Sequence, residues 1–112
     1  MKPMPEPSAT AVTLPGLMAA LSDPVRVQIL SALAAEGECA CGTFELGIAK
    51  ATRSHHLRVM REAGITHTRA EGTRRIVSLR RDELDERFPG LLDAVLAAAA
   101  REAPAPAAAP VA

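Results

Sequence analysis

The spacing of the apolar residues changes at Gly64, and that change limits what the chain can fold into. Before it, Val25, Ile29, Leu30 and Leu33, and later Leu57 and Met60, recur at the spacing of one helix face. After it, residues 65–69 and 74–79 alternate, and Ala70-Glu71-Gly72-Thr73 between them suits a hairpin turn. A chain of 112 residues has room for one core. The hairpin carries few apolar residues of its own, so it must lean on the helices as a wing. The expected class is mainly α with a small β-hairpin wing.

Local signals place the other elements. A short helix is expected over residues 15–21. Asp23-Pro24 supplies an N-cap followed by proline at the first helical position, and Gly37 stops the helix of residues 24–35 that follows. Residues 38–42 read as an extended link and 43–47 as a brief helix with Phe44 and Leu46 inward. A helix over 51–63 ends at Gly64, completing a helix-turn-helix unit. The last helix, 81–100, is interrupted by Pro89. Between Leu91 and Ala100 its only charge is Asp93, and so apolar a face calls for a partner. Leu14, Leu17, Met18, Leu91, Leu92, Val95, Leu96 and Ala99 are the expected homodimer contacts through the terminal helices. The domains read as a flexible arm at 1–13, one working domain at 14–100, and a disordered Ala/Pro tail at 101–112.

Charge points to the partner. The formal net charge is zero, yet residues 50–81 hold nine basic side chains against two acidic ones. That asymmetry aims one face at a polyanion. On the helix at 51–63, Leu57 and Met60 turn inward. Ser54, His55, Arg58 and Glu62 lie opposite, flanked by Thr52 and Arg61, as base edges and phosphates of a major groove require. A solvated outer face has the same composition; the neighbouring wing, with Arg69, Arg74 and Arg75, decides for DNA. With no Trp or Tyr and two Phe, the chain lacks a stacking platform for single strands. No catalytic constellation, phosphate-cradling glycine loop or catalytic zinc set is recognisable, so no enzyme is expected. Neither a signal peptide nor a membrane span of roughly 20 apolar residues is seen, and a cytoplasmic protein with reduced thiols is expected.

The sequence resembles the ArsR/SmtB family of winged helix-turn-helix repressors. Leu21-Ser22-Asp23-Pro24-Val25-Arg26 with Ile29-Leu30 is similar to the family's opening helix pair. Residues 54–65, from Ser54-His55-His56-Leu57 to Ala63-Gly64-Ile65, are similar to its recognition helix, with Ser54 and His56 at characteristic polar positions and both counted among the expected DNA contacts; residues 69–74 resemble its wing tip. The resemblance covers about residues 14–97. It implies a dimer, a double-stranded operator with an imperfect inverted repeat, and repression relieved by a ligand. Arg53 departs from a usually aliphatic position, and its stem is expected to line the core while its head reaches for phosphate.

Cys39-Ala40-Cys41 admits three readings: incidental small residues, a metal or metalloid sensor, or a redox sensor. In an extended segment residues two apart share a face, so under the sensor reading two thiolates converge on a soft ion. The pair is similar to the family's thiolate site at the start of its third helix. Phe44 stands where a third cysteine would follow, and the family's carboxylate and histidine set on the last helix is missing. His67 is a further candidate ligand, although an exposed polar residue on a strand is the better reading of it. Arsenic, cadmium, zinc or nickel are the candidate inducers, and no cofactor is needed for the fold. The competing function is a winged-helix protein-interaction or redox-responsive module without a metal site.

Overall fold

The computed structural model describes residues 6–44 and 46–102. The Thr13 hydroxyl accepts from the Gly16 amide at 3.1 Å and caps α1 (Leu14–Ala20). Asp23 caps α2 (Pro24–Glu36), accepting from the Val25 amide at 2.8 Å, and Gly37, at φ 88°, ends it. The centre of the core is α2, whose Ile29, Leu30 and Leu33 are buried against Leu17, Met60, Ile65, Val77, Leu84 and Leu92.

The chain then forms β1 (Glu38–Ala40), a 3-10 turn at Cys41–Thr43, and α3 (Lys50–Glu62). Beyond α3, Gly64 donates to the Arg61 carbonyl at 3.1 Å and Ile65 to that of Met60 at 3.0 Å, a Schellman ending sealed by contact between buried Met60 and Ile65. The strands β2 (Thr66–Glu71) and β3 (Arg74–Leu79) pair antiparallel, and Gly72-Thr73 makes the turn. As expected, Pro89 separates α4 (Arg81–Arg87) from α5 (Leu91–Glu102). The architecture is a winged helix-turn-helix: a mostly helical body with a small antiparallel sheet.

Several expectations are corrected. The sheet has three strands in the order β1-β3-β2, because the link at 38–40 pairs with β3 through Glu38↔Ser78, Cys39↔Val77 and Ala40↔Ile76. The helix expected at 43–47 is absent among the described residues. Phe44 is extended and Gly47 sits at φ 70°, and so short a segment cannot offset the cost of a helix nucleus. Residues 6–13, expected as a loose arm, are docked. Glu6 accepts from the Thr68 amide at 3.1 Å, Arg80 donates to the Pro7 carbonyl, and Arg87 donates twice to that of Val12. Val12 is buried where a Cβ on Gly64 would lie. Helix α5 runs through Arg101 and Glu102, two residues past the expected limit. Residues 1–5 of the expected arm and 103–112 of the expected tail lie outside the described residues.

Candidate nucleic-acid interface

The site begins with the way α3 is seated. His56, Leu57 and Met60 face the core, while Thr52, Ser54, His55, Arg58 and Glu62 are exposed. His56, assigned to the DNA face from sequence, is therefore corrected to an interior residue. Its Nδ1 accepts from Arg26 Nη1 at 3.0 Å. At the other end of α3, Ala49 provides no side-chain cap and the first turn carries no acid. The opening amides thus form a helix N-terminus suited to an anion.

Strand alternation sorts the basic residues of the wing. Arg75 lies opposite Ala70, and Thr68 opposite Val77, on the face of the sheet toward α3. Arg69, Glu71 and Ile76 belong to the other face, while Arg74, at the wing tip, borders both. Between α3 and the first of these faces lies a hollow of about 1010 Å³, lined by Lys50, Arg53, Ser54, His55, Arg58, Arg61, Thr68, Arg74 and Arg75, with Cys41 at its base. The Nε atoms of Arg53 and Arg61 are buried without a hydrogen-bond partner among the described residues. Buried donors left in this way call for an acceptor. Arg58 Nη2 stands 3.3 Å from His55 Nδ1, joining two exposed members of the helix face.

Arg69, also assigned to DNA from sequence, is instead held by acids. It donates to both oxygens of Glu38, at 2.6 and 3.3 Å, and to Glu71 at 3.4 Å. Its hydrogen bond to Glu38 is the main reason its guanidinium is held above the ordinary arginine range. Arg74, at the wing tip, pairs with Glu71 at 3.2 Å. Sequence reasoning missed Lys50 and Thr68. The parity of Thr68 with Arg75 across the strands was the available signal for the latter.

The two thiols do not share a hollow. Strand β1 ends at Ala40 and the chain turns at Cys41, so the common face of an extended segment is lost. Cys39 lines a second hollow, of about 760 Å³, with Glu36, Glu38, Arg69 and Phe44, whereas Cys41 lies among the arginines facing α3. Both are free. Burial raises the Cys41 thiol above the ordinary range, against the pull of Arg53, Arg75 and Arg61; burial and then Glu36 raise that of Cys39. His67 is exposed and meets the Glu6 carboxylate at 2.9 Å. Among the described residues no group of three or more His, Cys, Asp or Glu is arranged to hold an ion. The pair thus has no third such ligand arranged with it among the described residues.

The expected dimer contacts also divide. Leu17 and Leu92 are buried in the chain's own core, a correction, because each stands on the inward side of its helix. Leu14 and Met18 are exposed at 46% and 42%, and Leu91, Val95, Leu96 and Ala99 are half-buried. No single helix among the described residues is long and apolar enough to cross a membrane.

Known proteins share this arrangement. The family described as bacterial regulatory protein, arsR family, matches residues 23–68. The uncharacterized HTH-type transcriptional regulator YceK of Bacillus subtilis is 40% identical over 77 residues, 66% of this chain and 77% of that one. A cadmium resistance transcriptional regulatory protein CadC homolog of Staphylococcus aureus is 46% identical over 55 residues, 47% of this chain and 46% of its own. Among solved structures, the homodimeric winged helix-turn-helix DNA-binding domain Mb0332 of Mycobacterium bovis superposes with a TM-score of 0.62 at 25% identity, covering 93% of this chain and 94% of that one.

Proposed function

The chain belongs to the arsR family of bacterial regulatory proteins, and on that premise we propose that it is a dimeric transcriptional repressor that reads an inverted-repeat operator with α3 and the wing. The observation that carries this reading is the basic hollow between them, lined by Lys50, Arg53, Arg58, Arg61 and Arg75, where the Nε groups of Arg53 and Arg61 have no hydrogen-bond partner among the described residues. The side chains of Lys50, Arg53 and Arg61 that line the hollow offer their cations to backbone phosphates. Ser54, His55 and Arg58, exposed on α3, are the readers of base edges, with Thr52 beside them. Arg74 and Arg75 serve the backbone.

Dimerisation is supported by the exposed Leu14 and Met18 on α1, by the apolar residues of α5 and by the homodimeric neighbour. Such a dimer sets two recognition helices about 34 Å apart, one turn of duplex. A metal ion, a metalloid or another small ligand is proposed as the releasing signal, and the name of the cadmium-resistance relative supports it. Among the described residues, Cys39 and Cys41 have no third His, Cys, Asp or Glu arranged with them to complete a site.

Fluorescence anisotropy of a labelled random duplex across a salt series tests the DNA reading. The expected result is an affinity that falls linearly in log–log form, with a slope that shrinks in Arg53→Gln and Arg61→Gln. Binding that is absent, or unaffected by salt and by both substitutions, would overturn it.

A further inference from the structure

One guanidinium ties three helices together. Arg26, in the first turn of α2, donates through Nε to the Ala20 carbonyl at the end of α1, at 2.5 Å, and through Nη1 to His56 Nδ1 in the middle of α3, at 3.0 Å. Arginine offers only donors, so Nδ1 must accept, and the neutral ring then carries its proton on Nε2. A second proton removes that acceptor and sets two cations against each other at a half-buried joint. On α2 the groups facing the ring are Arg26 and Asp23, and the Asp23 carboxylate is already engaged as a helix cap. On α3 the neighbour is His55, its ring centroid 5.6 Å away. No residue of α1 is charged.

The helices joined in this way have different tasks. The exposed Leu14 and Met18 of the dimer face are carried by α1, and the DNA-reading face by α3. We propose that Arg26 and His56 form a proton-operated joint between them, so that a second proton on His56 frees α3 from α1 and weakens operator binding. The inference rests on the DNA-reading function proposed above. Both are positioning residues and touch no DNA. Linkage sets the size of the effect: the factor by which bound operator opposes the second proton is the factor by which that proton weakens the operator.

The test follows the affinity of the full-length protein for a duplex selected by that protein from a random pool, between about pH 8 and about pH 5.5, where an imidazole ordinarily changes charge. The parent is expected to lose affinity about tenfold, within the usual range of a coupling between two sites. His56→Asn keeps an acceptor near the Nδ1 position and takes no proton, so its affinity is expected to stay level over that span. Arg26→Gln keeps a donor without the cation and should flatten the profile as well, which preserves the test if His56→Asn fails to fold. In parallel, without DNA, hydrogen-exchange protection of the α3 amides, corrected for intrinsic pH effects, is expected to fall on acidification in the parent and not in the variants. Steady α3 protection in the parent, or the same acid response in both variants, would overturn the joint. Acid-sensitive α3 protection in a protein that binds no duplex at any pH supports the joint and overturns the DNA reading.

Discussion

Replacing Gly64 by alanine should be among the most damaging single-methyl changes in this chain. Gly64 has φ 87°, where a residue with a Cβ is strained by about 1–2 kcal/mol. The added methyl also meets the Val12 Cγ2 in the docked N-terminal segment, which is held in place by Arg87 on the Val12 carbonyl. Overpacking of this kind costs about 1–3 kcal/mol. The sum, about 2–5 kcal/mol, is a large share of a small domain's stability. Val12→Ala alone loses about 1.5–3 kcal/mol of buried methyl groups. In the double mutant the alanine at 64 enters the space Val12 vacates, leaving the backbone strain and sparing the clash. The two changes should therefore be sub-additive by about 1–3 kcal/mol, in urea unfolding followed by circular dichroism at one fixed protein concentration. A loss of less than about 1 kcal/mol for Gly64→Ala, or additivity within about 0.5 kcal/mol, would refute both the packing of Val12 and the docking of residues 6–13.

Arg75→Gln should weaken specific and random duplexes alike and lower the salt slope by about one, whereas Arg58→Ala should lose about 1–3 kcal/mol of discrimination; parallel anisotropy titrations separate the two. Leu92→Ala, which empties a core position, should cost about 2–5 kcal/mol on thermal unfolding, while Met18→Asp with Val95→Asp should yield folded monomers in sedimentation; a stable dimer in that variant would remove the assigned interface. Burial holds both thiols above the ordinary range, so alkylation of Cys39 and Cys41 should be slow at neutral pH and accelerate as pH rises past about 8.5, the ordinary thiol value. Fast labelling at pH 7, read by mass spectrometry, would contradict that environment.

Features set by neighbouring residues were legible in the sequence. Asp23-Pro24 marks the start of α2, Gly64 the end of α3 and Pro89 the break before α5, because caps, left-handed glycines and missing amides act locally. The outward Ser54, His55 and Arg58 followed from helical spacing in the same way. Features that depend on distant partners were not legible. Arg69 looks like a DNA contact until Glu38, 31 residues earlier, is seen to hold it. His67 looks like a lone ligand until Glu6, 61 residues away, meets it. A strand of three residues such as β1 carries too little alternation to be read, and it moves Cys39 and Cys41 into different hollows. His56 sits one residue from the outward face, and its burial follows from Arg26 across the helix interface.

The central claim, that two copies of α3 and the wing read one duplex, is tested most directly by selecting bound sequences from a random double-stranded pool with the full-length protein and sequencing the survivors. The account predicts an enriched imperfect inverted repeat with half-site centres about 10–10.5 base pairs apart, lost in Ser54→Ala/Arg58→Ala. Survivors without a shared motif, or a single unrepeated site that the double substitution leaves unchanged, would contradict it.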